Sequence, residues 1–176
     1  LLTGEANRFY ASGFHSTGTD GVALVTEAGA YYYTDARYIE AAMRQVQGAE
    51  IHETGRGRGY SVLLQEAVDK HGIRRMGFEE AYMTVADCEA YRSKLSCELI
   101  PASALLTELR RVKDEEELSA MIGAQRIAEK AFQDILKEIR VGGSEREIAA
   151  RLQYLMLHYG AENMSFDPIV VAGANG

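Results

Sequence analysis

The stretch Gly21-Val22-Ala23-Leu24-Val25-Thr26-Glu27-Ala28-Gly29-Ala30-Tyr31-Tyr32-Tyr33-Thr34-Asp35 decides the fold class. Gly21–Thr26 is a short apolar run that reads as a buried strand. Glu27-Ala28-Gly29 is a turn, with Gly29 free to take positive φ. Ala30–Thr34 returns as the second strand of a hairpin, and its tyrosines suit a pleated, half-buried surface. Asp35 then caps a helix in which Ile39, Met43 and Val46 recur at i, i+4 and i+7 and share one face. A hairpin that runs straight into a helix points to an α/β domain.

The pattern continues on both sides. Leu1 opens what reads as a strand already under way, and a further strand is expected around Ala49–His52. Gly55-Arg56-Gly57-Arg58-Gly59 is a flexible break. Val62, Leu63, Ala67 and Val68 place a helix on residues 60–71, ended by Gly72. Arg75–Phe78 reads as a strand, Thr84–Leu95 as a helix capped by Thr84, and Glu98–Ile100 as a strand. From Pro101 the character becomes helical. Asp114 and Glu117 have the capping spacing, and Leu118, Met121, Ile122, Ala128, Phe132, Ile135 and Ile139 continue one apolar stripe. Gly142-Gly143 separates this helix from another, which opens on the capping pair Ser144 and Glu147 and ends at Gly160. Ile169-Val170-Val171-Ala172 is expected to be a strand running into a turn. The domain boundary falls near residues 101–113. The second part, with two long helices and one strand, lacks the elements to close a core.

Composition narrows the function classes. The 176 residues are 47% hydrophobic and 26% charged, with a net charge of −7. An acidic chain is a poor default partner for nucleic acid, because phosphate binding needs a basic surface. No apolar run approaches the ~20 residues that span a bilayer. Cys88 and Cys97 form neither a CxxC pair nor a zinc spacing, which fits a reducing cytoplasm. The absence of an initiating Met and the apolar run just before Gly176 read as cut ends, so a fragment of a longer protein is expected.

The residues by themselves carry little chemistry. His15, His52, His71 and His158 show no HxxxH-type spacing. His15 stands apart because Gly13–Gly21 is a polar loop, and such loops reach ligands. Asp114–Glu117 is a solvated helix start, since consecutive helical positions point in different directions. Glu79-Glu80 follows a strand end, where α/β proteins bind ligands, but no partner group is in view. There is no GxSxG elbow and no phosphate-binding glycine loop.

Five segments together resemble the Xaa-Pro peptidases, the family of aminopeptidase P and prolidase (M24 type). Asn7-Arg8-Phe9-Tyr10-Ala11-Ser12-Gly13-Phe14 is similar to N-x-x-Y-x-[ST]-G-F, and Thr34-Asp35-Ala36-Arg37-Tyr38 to T-D-x-R-Y. Leu109–Leu118 is similar to L-R-x-x-K-[DS]-x-x-E-[IL]. Gly143-Ser144-Glu145-Arg146-Glu147-Ile148-Ala149 and Ser165-Phe166-Asp167-Pro168-Ile169-Val170-Val171-Ala172-Gly173 follow in the family's order.

The resemblance implies a creatinase-like α/β domain with a mixed sheet and flanking helices over 1–106. The first helices and strand of an α+β pita-bread catalytic domain would follow over 107–176. It also implies a metallopeptidase parent acting on proline-containing peptides, cytoplasmic and homodimeric, with no membrane or nucleic-acid partner. Family members hold two divalent ions, Mn, Co or Zn, with two Asp, a His and two Glu, and the pair makes a nucleophile of bound water at neutral pH. All of these ligands, and the His of a P-H-G-like segment, would lie past Gly176, so no catalytic or metal residue is expected here and the piece alone would be inactive. Two substrate-side positions carry over. Phe166 would line the pocket beside the scissile bond, and His15 lies in the Phe14–Asp20 loop that approaches a partner's active site in related dimers. The rival readings are a metal-free creatinase-like hydrolase and a non-catalytic protein-binding module of the same architecture.

Overall fold

The computed structural model describes residues 1–16, 18 and 20–176. The chain forms two compact units, Leu1–Arg111 and Val112–Gly176.

The first unit is built on the hairpin. β1 (Val22–Thr26) pairs antiparallel with β2 (Gly29–Thr34), Val22 opposite Tyr33. After α2 (Ile39–Gln45), β3 (Ala49–Glu53) pairs parallel to β2 with Tyr32 opposite Ile51, so the sheet is mixed. β4 (Arg75–Phe78) and β5 (Glu98–Pro101) form a parallel pair across α4 (Val85–Arg92). Leu1–Thr3 joins the two pairs. Leu2 and Ala23 exchange backbone hydrogen bonds of 2.7 and 3.0 Å, and Leu1 N donates to Gly77 O at 2.7 Å.

Strand alternation sorts the side chains into two cores. Tyr31 and Tyr33 of β2 and Val22 and Leu24 of β1 enter the larger core. There α3 (Tyr60–His71) adds Leu63, Leu64, Ala67 and Val68. Tyr32 and Ala23 enter the smaller core on the opposite face, with Leu2, Phe14 and Ala42. Burial on both faces explains why Val22-Ala23-Leu24 is a continuous apolar run rather than an alternating one.

One helix of this unit is absent from the sequence-based expectation, and another gives bounds to the general helical character expected from Pro101. α1 (Glu5–Ser12) follows Leu1–Thr3 directly. α5 (Ser103–Arg111) spans most of the expected boundary region 101–113, with residue 106 inside it, and the first unit ends at Arg111. The face expected of α2 also differs: Ala42 is fully buried while Met43 is 67% exposed. The residues that pack inward are Tyr38, Ala41, Ala42 and Val46, a stripe offset from Ile39 and Met43, and the helix begins only at Ile39 after a turn over 36–38 on Asp35.

The second unit holds α6 (Glu115–Ile135) and α7 (Glu145–His158). Asp114 and Ser144 each close a full capping box, with Glu117 and Glu147. α6 stops at Ile135, short of the expected 139, because Lys137 and Glu138 bond to the i−3 carbonyls of Asp134 and Ile135. Its core is Ala131, Ile135 and Leu155. The expected strand at 169–172 is not formed. Among the described residues this unit contains no other strand to pair with it, and the chain ends in a short 3₁₀ turn over Gly173–Asn175. No helix among the described residues is long and apolar enough to cross a membrane.

Candidate functional site

The motif-bearing segments of the first unit converge on α1. Its N-terminus has no capping side chain of its own. Glu79, fully buried just past β4, takes that role: its Oε2 accepts from Thr3 N and from Gly4 N (2.8 Å), while its Oε1 accepts from Asn7 Nδ2. A carboxylate there also suits the positive end of the helix dipole. Arg110 of α5 donates to Asn7 Oδ1 at 2.9 Å, and its guanidinium lies 5.8 Å from the Tyr10 ring centre. Glu79, Asn7 and Arg110 thus tie together the end of β4, α1 and α5.

Arg8 points to the other side. It is 1% exposed and donates to four carbonyls, those of Thr3, Gly21, Ser16 and Gly18, at 2.7–3.1 Å. One guanidinium therefore shapes the backbone that follows α1. Ser12 Oγ donates back to Arg8 O at 2.7 Å, Gly13 ends the helix at φ 66°, and Phe14 meets Tyr32 edge-on at 5.5 Å. Inside the same loop, Ser16 Oγ and Tyr32 Oη are 2.7 Å apart.

The second motif closes the neighbouring corner. Arg37 Nη2 donates to Asp35 and to Asp20, both at 2.6 Å, and Tyr38 Oη donates to Asp20 at 3.1 Å. The Arg37 hydrogen bonds hold the Asp35 carboxyl below the usual carboxylate range. Thr34 is fully buried.

Of the two positions singled out by sequence, His15 follows α1 on the surface. Its Nδ1 lies 3.4 Å from Glu5 Oε1 and its ring centre 5.3 Å from that of Phe9. Within the Phe14–Asp20 loop, Thr17 and Thr19 lie outside the described residues. Phe166 belongs to the second unit, on an irregular segment, and is 71% exposed. The signals missed by the sequence reading were Arg8 and Asn7, present in the first motif but not read as buried hydrogen-bond centres, and Glu79.

The remaining histidines are placed by aromatic neighbours. His71 Nε2 is 2.7 Å from Tyr31 Oη, His52 stacks on Tyr33 at 5.5 Å, and His158 stacks on Tyr154 at 5.6 Å. His52 also pairs with Glu50 at 3.1 Å, two residues away on one strand face. Among the described residues no group of three or more His, Cys, Asp or Glu is placed to hold a metal ion. The donor set for a two-metal centre is thus not met by these residues, and no metal-dependent step is assigned to them.

Comparison with known proteins follows the same division. Residues 1–112 match the family described as Creatinase/Prolidase N-terminal domain, and residues 119–176 match Metallopeptidase family M24. The chain is 37% identical to the uncharacterized peptidase YqhT of Bacillus subtilis, over 98% of this chain and 48% of that protein. Among solved structures it is similar to an Xaa-Pro dipeptidase from Bacillus anthracis, with TM-score 0.85 and 36% identity over 94% of this chain and 45% of that one. It is also similar to an X-Pro aminopeptidase from Thermotoga maritima, with TM-score 0.85 and 30% identity over 94% and 46%. The chain thus spans about half the length of the relatives it matches.

Proposed function

We propose, from the premise that this chain belongs to the Creatinase/Prolidase N-terminal domain family, that it is the N-terminal part of a metal-dependent Xaa-Pro peptidase. The whole protein would cleave the bond before proline, either releasing an N-terminal residue or splitting an X-Pro dipeptide. The observation that carries this reading is the order of matches along one chain: a creatinase-type domain followed at once by the opening of an M24 domain. The metal ions would be held by residues outside these 176, and this chain alone would not hydrolyse peptides.

Its own residues would shape the surroundings of the reaction. Phe166, exposed as it is, is free to wall a substrate pocket against the proline ring. His15 and its loop, held from behind by Arg8, would reach the active site of the second copy in a cytoplasmic homodimer. The test is an assay of the whole protein, loaded with Mn²⁺ or Co²⁺, on X-Pro dipeptides and on longer peptides with proline second. Cleavage of these but not of X-Ala analogues is expected. A folded, metal-loaded protein that leaves all of them intact overturns the reading.

A further inference from the structure

Asn175 is followed by Gly176, the one Asn-Gly step in the chain. At such a step the backbone nitrogen of the glycine can attack the side-chain carbonyl carbon of the asparagine, and no side chain on the attacking residue hinders the approach. The bond from Gly176 N to Asn175 Cγ would form, the bond from Cγ to Nδ2 would break, and the amide would leave as ammonia. Water then opens the five-membered succinimide at either carbonyl, giving aspartate or isoaspartate. Nothing is oxidised or reduced, and solvent water is the only co-reactant.

Both residues are exposed, at the end of the 3₁₀ turn over Gly173–Asn175. Their backbone is lightly held. Asn175 N donates to Ala172 O at 3.2 Å and Gly176 N to Gly173 O at 3.3 Å, at or past the long end of the ordinary range. Exposed bonds of this kind open locally at little cost. The other candidate steps are hindered. Asn7 is buried, its amide spanned between Glu79 and Arg110, and its successor is Arg8. Asn163 is exposed, but its successor Met164 carries a bulky side chain. Asp20-Gly21 has the permissive successor, yet Arg37 and Tyr38 each hold one of its carboxylate oxygens and Gly21 is buried.

Glu145 connects this step to the fold. Its Oε1 accepts from Asn175 Nδ2 at 3.0 Å and from Ala172 N at 2.7 Å, and these bonds, the Asn175 one foremost, hold its carboxyl below the ordinary value. The tie keeps Nδ2 engaged and must break before Cγ can turn to Gly176 N. After the reaction the donor is gone. A carboxylate oxygen replaces Nδ2 opposite the Glu145 carboxylate, and two like charges in contact repel. The isoaspartate product also adds a methylene to the main chain. We infer that Asn175 is a site of spontaneous deamidation, restrained by Glu145, whose product releases residues 172–176 from the start of α7. The inference does not rest on the peptidase reading, and its test does not use peptidase activity.

The full chain is incubated in mildly alkaline buffer, and deamidation is located by peptide mapping with mass spectrometry and by enzymatic methylation of isoaspartate. Conversion at Asn175 is expected to be at least about tenfold faster than at Asn163 or Asn7. Gly176→Ala should slow it about tenfold, and the added Cβ meets nothing closer than 3.7 Å, so the variant fits the fold. Glu145→Ala should speed it about fivefold, the effect of losing one exposed hydrogen bond. In NMR, Asn175→Asp should move the Ala172 amide toward its position in Glu145→Ala. If Glu145→Ala fails to fold, the displacement of the Ala172 amide by Asn175→Asp decides the role of Glu145. Conversion at Asn175 no faster than at Asn163, or no slower in Gly176→Ala, overturns the inference. So does an unchanged or lower rate in folded Glu145→Ala, or an Ala172 amide that Asn175→Asp leaves in place.

Discussion

Glu79 satisfies three donors while fully shielded from solvent, so its removal leaves Thr3 N–H, Gly4 N–H and the Asn7 amide without an acceptor. Glu79→Ala is expected to cost about 3 kcal/mol of stability by urea unfolding, the range for buried groups left unpaired. Glu79→Gln keeps one acceptor oxygen and should cost less; equal losses for the two would point to packing rather than hydrogen bonding. Glu79 is legible in the sequence as the residue just past a strand, but its partners are not. Its partners lie 72 to 76 residues away in the chain, a separation that spacing rules do not address. The same distance problem hid Arg110, which meets Asn7 across 103 residues. Arg8 and Ser12 stood in a recognised motif, yet only the fold shows that one buries its charge among carbonyls and the other bonds its backbone.

Elements whose signals are local were legible, and those capped from afar were not. α4, α6 and α7 carry their own caps at Thr84, Asp114 and Ser144, and α3 and β4 match their expected spans. α1 starts at Gly4 and borrows its cap from Glu79, and the Ser103 hydroxyl at the start of α5 is turned toward Glu80. The C-terminus of α1 gives a test at this scale. Gly13 sits at φ 66° with no side-chain atom in close reach of an added Cβ, so the cost of Gly13→Ala is conformational, about 1 kcal/mol. A thermal melt unchanged by the substitution would contradict it. A second test concerns the segment after α7. Glu145 accepts from Asn175 Nδ2 at 3.0 Å and from Ala172 N at 2.7 Å, and these bonds lower its carboxyl below 4.5. A folded-state value below the unfolded one means that the tie is fully present above about 4.5 and is lost as pH falls through the lowered value. The Ala172 amide shift in NMR should therefore titrate with a midpoint under 4.5, and a midpoint at or above it would show that the tie is absent.

The two units differ in what holds each together. Among the described residues, Leu1–Arg111 has one core cluster of fourteen buried residues and a second of five, with helices supplying both. Val112–Gly176 has three buried apolar residues, while Leu118, Ile122, Phe132 and Leu136 are each about half exposed or more. Its two capping boxes and the ion pair between Arg151 and Glu138 at 2.8 Å, both solvent-accessible, contribute little beside a core. Burial scales with the number of elements that can cover one another, and two helices with an unpaired extended tail offer few. The sequence pattern already carried this imbalance, since a long apolar stripe was followed by too few elements to cover it. The expected outcome is that a chain of residues 1–111 unfolds in one cooperative transition by circular dichroism and by tyrosine fluorescence, with the two curves coincident. A chain of residues 112–176 should keep partial helix, favoured by the capping boxes, and lose it gradually with temperature, because a 21-residue helix without tertiary cover is marginal in water. A sharp transition in the second piece would mean that its three-residue core is sufficient and that the exposed stripe on α6 needs no further cover.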